Sequence, residues 1–253
     1  MVMDMLPAIR VDGDEVVRIT EPVIREERYL IYLNDQLLAE QIASPDQREE
    51  LGAGFVICEG LAEHVEGVSV DRNEIWVEAE SRLGIEREFR SGGGCGIRGV
   101  PKPVHSSLCI SPEQVRRITR EIESETWKKT GGVHCSVLFS DEGLVVKSCD
   151  IGRHNTVDKV VGHAELQGID RGNCFIGCTG RQPAGMVAKS ANAGIPIIVS
   201  RAASTSAGIL TADQTGITLI CFSRQNRFTI YTNPQRIEGI VRAVREPRED
   251  EKL

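Results

Sequence analysis

The chain is short of features that several common functions need. Aromatic residues number 11 in 253 (2 Trp, 3 Tyr, 6 Phe), too few for the rows of stacking platforms that hold single-stranded nucleic acid. Acidic residues (37) outnumber Lys and Arg (30), giving a net charge of −7. No global basic field is therefore available to hold a nucleic-acid backbone or an anionic bilayer, and neither is expected as a partner. An anionic ligand has to be met by local cations. No apolar run approaches the roughly 18 residues of a membrane span. The first residues, Met1-Val2-Met3-Asp4-Met5-Leu6-Pro7, lack a basic stretch leading into an apolar one, so a soluble, cytoplasmic protein is expected. Neither G-x-x-x-x-G-K-[ST], a helix-opening G-x-G-x-x-G nor G-x-S-x-G occurs, which disfavours a standard ATPase, a dinucleotide enzyme and a serine hydrolase.

What the chain does have is eight cysteines: Cys58, Cys95, Cys109, Cys135, Cys149, Cys174, Cys178 and Cys221. Their density, about 3%, is far below that of a small disulfide scaffold, and a reducing compartment accounts for them. Cys174, Cys178 and Cys221 fall in apolar runs that read as core strands, Cys135 and Cys149 in a hairpin, and Cys58 on a helix. Cys95 alone sits between glycines.

The first third reads as β-rich. Residues 28–33 and 36–43 form a hairpin about Asn34-Asp35. Ser44-Pro45-Asp46-Gln47 carries N-cap signals and predicts a helix over 45–59 ended by Gly60. Strands are expected at 68–70, 74–80 and 85–89. The segment Ser91-Gly92-Gly93-Gly94-Cys95-Gly96-Ile97-Arg98-Gly99 reads as a mobile loop, and Ser111-Pro112-Glu113-Gln114 opens a helix reaching Trp127. From Thr130 strands alternate with helices: a hairpin (133–140, 144–150), a helix over 155–167, strands at 174–178, 195–200 and 218–222, and helices at 183–193 and 204–213. A last strand (228–231) and a polar helix from Gln235 to Val244 follow. The pattern is mixed α/β, with a β-rich N-terminal domain (1–110) and an α/β domain (111–253), and ligands in such sheets gather beyond the strand ends.

Cys95 is the first candidate for chemistry. Flanking glycines leave it little cover and Arg98 favours the thiolate; a flexible linker holding a small residue is the competing reading. Asp150-Ile151-Gly152-Arg153-His154-Asn155-Thr156-Val157-Asp158-Lys159 follows a strand and enters a helix, so backbone N–H groups and Arg153 can face an anion or a purine edge. Alternatively Asp150 and Asn155 only cap and turn the chain. Thr179-Gly180-Arg181-Gln182 and Ser200-Arg201-Ala202-Ala203 repeat the layout. Three strand-end arginines together make a cationic pocket in an acidic protein, suited to phosphate. No metal site is expected. Cys174-x-x-x-Cys178 lacks a second pair, and His163-x-Glu165, which has the form found in zinc deaminases, lacks the accompanying P-C-x-x-C and reads as an exposed face near a helix end.

These residues, taken in order, resemble the FdhD family of formate dehydrogenase accessory sulfurtransferases over nearly the whole chain. The matching stretches are Ala43-Ser44-Pro45-Asp46 with Gly54-Phe55 and Glu59-Gly60; Cys95-Gly96-Ile97 with Gly99; Thr130-Gly131-Gly132-Val133-His134; Asp150 to Asn155 through Asp158-Lys159; Gly180-Arg181 with Met186-Val187 and Lys189; and Tyr231-Thr232 with Pro234-Gln235-Arg236-Ile237. The resemblance implies an enzyme that takes sulfur from a cysteine desulfurase as a persulfide on Cys95. It passes that sulfur to the molybdenum or tungsten bis(molybdopterin guanine dinucleotide) cofactor, which formate dehydrogenase needs. The resemblance also implies a cytidine deaminase-like C-terminal domain without its zinc, a homodimer, and cofactor contacts from Phe222, Ser223, Arg224, Gln225, Asn226 and Arg227. Arg153, His154, Asn155 and Arg181 join them as candidate cofactor residues. The sequence departs from the family at Arg98, where most relatives have a second cysteine, at Cys149, where an acid is usual, and at Gln182-Pro183-Ala184-Gly185. A cofactor-binding chaperone without sulfur transfer and a zinc deaminase are the alternatives.

Overall fold

The computed structural model describes residues 2–81, 89–90, 94–95 and 101–243. Strands β1 (Met3–Asp12) and β2 (Glu15–Ile24) pair antiparallel about Gly13, which has φ +59°. The sequence reading does not anticipate this hairpin: Met5, Ile9, Val11 and Val16 on it are exposed, so it has no core face to signal. β3 (Glu27–Leu33) and β4 (Gln36–Ala43) turn through Asn34 and Asp35 at φ 46° and 66°, the left-handed pair that a two-residue hairpin loop requires.

Helix α1 spans Arg48–Cys58, three residues later than expected, and Ser44 does not cap it. The Ser44 backbone N–H donates instead to Asp150 Oδ2 at 2.9 Å and its carbonyl accepts from Lys159 Nζ at 3.1 Å. The turn is thus held by a distant part of the chain. Gly60, at φ +71°, ends the helix as expected. β5 (Gly67–Asp71) and β6 (Glu74–Glu78) complete a four-stranded sheet ordered β4-β3-β6-β5, with β3 and β6 parallel. Two-residue strands β7 (Phe89–Arg90) and β8 (Gly94–Cys95) pair with each other, Phe89 opposite Cys95. The backbone at Gly94 and Cys95 is therefore strand, while most of the expected strand at 85–89 and the other residues of the expected loop, Arg98 included, lie outside the described residues.

Helix α2 (Pro112–Glu121) begins with the full Ser111/Gln114 capping box. It stops short of Trp127 because Ser124 caps a second helix, α3 (Glu125–Thr130). Then follow β9 (His134–Ser140), β10 (Gly143–Asp150), α4 (Arg153–Leu166), β11 (Phe175–Cys178), α5 (Ala184–Asn192), β12 (Ile197–Ser200), α6 (Ser206–Thr215), β13 (Thr218–Cys221) and β14 (Thr229–Ile230). The expected polar helix from Gln235 is replaced by a 3-10 turn at Pro234–Arg236 and a short α7 (Ile240–Ala243). The Arg236 guanidinium, buried, donates to the Gly216 carbonyl at 2.6 Å, and Ile237 bridges to Ile110, which holds the chain extended there.

The C-terminal region is a six-stranded sheet, β10-β9-β11-β12-β13-β14, with β11, β12 and β13 parallel and the outer strands antiparallel. Every residue of β11, β12 and β13 is buried, as expected of strands covered on both faces. Leu138, Ile176, Ile198 and Leu219 pack with Val157, Val161, Met186 and Ala212 of the helices on one face. Val137, Phe139, Phe175 and Ile220 pack with Val115, Ile118 and Ile122 of the α2 layer on the other. A separate core, including Tyr29, Ile31, Leu51, Phe55 and Ile75, fills the β-rich N-terminal region under α1. Helices α1 and α4 cross almost backbone to backbone: a Cβ at Gly54 would lie 1.7 Å from the Asp158 carbonyl oxygen, and one at Gly162 1.9 Å from that of Glu50. No larger residue fits either position without parting the helices.

Candidate functional site

The parallel strands β11, β12 and β13 end at Cys178, Ser200 and Cys221, and the loops beyond them carry Arg181, Arg201 and Arg224 with Arg227. Two adjoining clefts open here. The first, about 730 Å³, is lined by Ser124, Trp127, Lys128, His134, Cys135 and Thr179 among others. The second, about 640 Å³, is lined by Thr119, Arg120, Gln225, Asn226 and Arg227, and both share Glu123, Arg201 and Arg224. Four arginines on one small surface suit a ligand with more than one phosphate. Of the sequence-predicted residues, Arg224, Gln225, Asn226 and Arg227 therefore stand together on a cleft wall.

The 222–227 turn is held by its first two residues. Phe222 has φ +51°, a conformation that costs a bulky side chain roughly 1–2 kcal/mol. It is held there by its N–H donating to the Ala202 carbonyl (3.1 Å) and by Ser223 N–H donating to Ser200 (3.0 Å). Ser223 is buried, its hydroxyl 2.5 Å from that of Thr119 on α2, so it fixes the turn while Phe222 and residues 224–227 face outward. Arg224 donates to the Arg201 carbonyl at 2.6 Å, and Arg201 pairs with Glu123 at 2.9 Å. Glu123, Ser124, Trp127 and Lys128 were missed by sequence reasoning, because one long helix was expected and the break that turns these residues into the cleft was not.

The segment from Asp150 to Lys159 divides by role. Asp150, fully buried, accepts four hydrogen bonds: from Ser44 N–H (2.9 Å), Gly152 N–H (2.8 Å), Asn155 Nδ2 (2.8 Å) and Lys159 Nζ (2.7 Å). Asn155 also donates to the Ile42 carbonyl at 2.8 Å. These two residues hold the turn into α4, whose N-cap is Gly152 without a side-chain cap. Asp158, one residue before Lys159 on α4, faces a different neighbour: Lys189, which bonds both its oxygens at 2.8 and 3.0 Å and also pairs with Glu59 at 2.7 Å. Burial raises the Asp158 carboxyl to about 6 although Lys189 pulls the other way, and Glu59, sharing the same ammonium, adds to the rise.

Arg153 and His154 remain at the sheet's end. Arg153 is half-buried beneath Gly180, and its Nε is buried without a hydrogen-bond partner. Burial and the nearby Arg153 and Arg181 hold His134 below its usual range. Burial, Lys189 and Arg153 push His154 down to about 4, so both rings are neutral at pH 7. Arg181 is exposed, outside the lining of the two clefts.

The cysteines separate as sharply. Burial lifts Cys178 and Cys221 to about 12 and Cys174 to about 11, leaving inert core thiols. Among the described residues no group of three or more His, Cys, Asp or Glu is arranged to hold a metal ion. Glu165 is not an exposed face: nearly buried, it pairs with Arg171 and accepts from Val65 N–H at 2.8 Å. Nor, among the described residues, is any helix long and apolar enough to cross a membrane.

Comparison with known proteins places these features in context. A sulfur carrier protein FdhD from Methanothermobacter thermautotrophicus is 36% identical over 241 residues, covering 91% of this chain and 96% of its own. One from Thermoplasma acidophilum is 38% identical over 220 residues, 77% of each chain. A crystal structure described as a formate dehydrogenase accessory protein from Desulfotalea psychrophila superposes with a TM-score of 0.79 at 29% identity, covering 94% of this chain and all of that one. The family model described as FdhD/NarQ matches residues 24–238, and with it the β-rich region, the six-stranded sheet and the cleft loops. The chain belongs to the FdhD/NarQ family.

Proposed function

We propose that this protein is a cytoplasmic sulfur carrier that accepts sulfur on Cys95 from a cysteine desulfurase and hands it to a bis(molybdopterin guanine dinucleotide) cofactor of molybdenum or tungsten. The client is a formate dehydrogenase. The observation that carries the reading is the pair of arginine-lined clefts beyond the parallel strands, in a chain whose relatives are named sulfur carriers. In the first step the Cys95 thiolate attacks the terminal sulfur of the desulfurase persulfide. An S–S bond forms on Cys95, the donor S–S bond breaks, and the desulfurase leaves as a thiolate. The cofactor is substrate here, and it supplies the metal that receives the sulfur.

Arg201, Arg224 and Arg227 suit its phosphates, and the outward ring of Phe222 suits a guanine face. Arg153, with its unpartnered buried Nε, is a further donor for an anion at the same sheet end. Asn155 and Ser223 serve this site by positioning, since both are buried among protein partners. The C-terminal sheet is read as a cytidine deaminase-like domain without zinc chemistry. The exposed apolar residues of the β1–β2 hairpin support a homodimer. Incubation with a cysteine desulfurase and cysteine should add about 32 Da to the peptide bearing Cys95, and Cys95→Ala should fail to activate the client. Sulfur absent from Cys95, or activation by the variant, rejects the reading.

A further inference from the structure

A pair of thiols is found besides Cys95. Cys135 on β9 and Cys149 on β10 are directly opposite each other in the antiparallel register. Such cross-strand neighbours lie about 4.5–5.5 Å apart at Cα, inside the range of about 4.4–6.8 Å that a disulfide needs. Both side chains face the α2–α3 layer, where Cys135 packs in the core beside the partly buried Cys149. Cys135 also lines the first cleft with Ser124 and His134. The Cys135 thiol is buried and donates to the Ser136 carbonyl at 3.8 Å; the neighbouring Cys149 and burial raise its pKa, while Cys135 and the Ser124 hydroxyl hold the more exposed Cys149 below its usual range. The pair thus sets a half-buried thiol opposite a buried one that lines an open cleft.

We propose that Cys149 and Cys135 form a second sulfur-accepting site, which takes sulfane sulfur from a persulfide or polysulfide and discharges it as sulfide. The Cys149 thiolate attacks the outer sulfur of R–S–SH; its sulfur forms the new S–S bond, the donor bond breaks, and RS⁻ leaves. Cys135 then attacks Cys149 Sγ and the outer sulfur departs, taking the Cys135 proton to become H₂S or HS⁻. The two thiols lose two electrons to the sulfane sulfur and end as a cross-strand disulfide, which a dithiol reductant reopens. This inference builds on the sulfur-carrier reading for its setting, but its test does not depend on Cys95.

The test uses the full chain with Cys95→Ala, treated with sodium tetrasulfide, alkylated and digested with trypsin. Cleavage after Lys129, Lys147 and Arg153 separates Cys135 (130–147) from Cys149 (148–153). The expected result is a cross-link between these two peptides, released by dithiothreitol and matched by an equivalent of sulfide. With Cys135→Ser added, the 148–153 peptide should instead gain about 32 Da; if that variant does not fold, the cross-link in Cys95→Ala alone decides. Neither cross-link nor adduct, or sulfur spread equally onto exposed Cys109, overturns the proposal. Desulfurase and cysteine in place of tetrasulfide distinguish the source: sulfur that reaches Cys149 only when Cys95 is present comes through the loop thiol, and sulfur that reaches it in Cys95→Ala comes from the donor directly.

Discussion

Replacing Lys159 by Met tests the account of the Asp150 cluster. The ammonium has no exposure and bonds Ser44 O, Asp46 Oδ1 and Asp150 Oδ2 at 3.1, 2.9 and 2.7 Å. Methionine fills most of the space but removes the charge. Asp150 would keep three N–H donors from Ser44, Gly152 and Asn155, yet its carboxylate would be buried without a counter-ion, a change that costs about 3–5 kcal/mol. Asp46, 39% exposed at its side chain, returns to water and adds little. Asp150→Asn leaves Lys159 with Asp46 and the Ser44 carbonyl, and should cost less, about 1–3 kcal/mol. The double variant should cost less than the two singles together, with a coupling of about 2 kcal/mol, because Asp150→Asn removes the carboxylate that Lys159→Met strands. Urea unfolding at pH 7 measures all three, and in a chain of this size Lys159→Met should lower Tm by roughly 6–20 °C. A loss under about 1 kcal/mol for Lys159→Met, or simple additivity, would falsify the reasoning.

Phe222→Gly relieves the left-handed strain, so stability should stay within about 1 kcal/mol of wild type, while affinity for a guanine dinucleotide should fall about 5–150-fold through lost stacking; unchanged affinity by calorimetry removes Phe222 from the site. Arg224→Ala should weaken phosphate-bearing ligands at least 10-fold and flatten their salt dependence, and a titration in 50 and 300 mM salt that shows neither places the anion elsewhere. His154 is held near 4 in the fold against about 6.5 unfolded, so its contribution is present above pH 6.5 and is lost as pH falls toward 4, by at most about 3 kcal/mol. His154→Gln should therefore lose less stability than wild type between pH 7 and 4.5 in paired urea midpoints, and parallel curves would count against a neutral buried ring. Ile9→Lys with Val11→Lys on β1 should shift the chain to monomer in light scattering without changing its Tm by more than about 2 °C, and an unaltered mass would show that the hairpin is no dimer contact.

Strands β3, β4 and β9 to β13 and the core helices are legible because burial imposes a period or an apolar run on their residues. Turn chemistry is equally plain at Asn34-Asp35, Gly60 and the Ser111 capping box. What escapes the sequence is non-local. Ser44-Pro45-Asp46 has the lettering of a helix start, but hydrogen bonds from residues more than 100 positions away take its polar groups. The break between α2 and α3 brings Glu123, Ser124, Trp127 and Lys128 to the cleft, and a single Ser cap inside a polar stretch gives little warning of it. Of the arginines expected at the strand ends, Arg201 lines both clefts together with Arg224, while Arg181 stands outside them and Asn155 turns inward. The β1–β2 hairpin escapes the sequence because most of its apolar residues stay exposed and leave no buried face to impose a period.

The long reach of the Ser44 clamp also sets an order of events during synthesis. The Ser44 amide leaves the ribosome 106 residues before its acceptor Asp150, a wait of roughly 5–20 s at ordinary elongation rates. Through that interval α1 lacks the α4 backbone against which Gly54 is cut. The nascent N-terminal region therefore exposes Gly54 and its neighbours to chaperones or to a second nascent chain, until Lys159 arrives to close the turn.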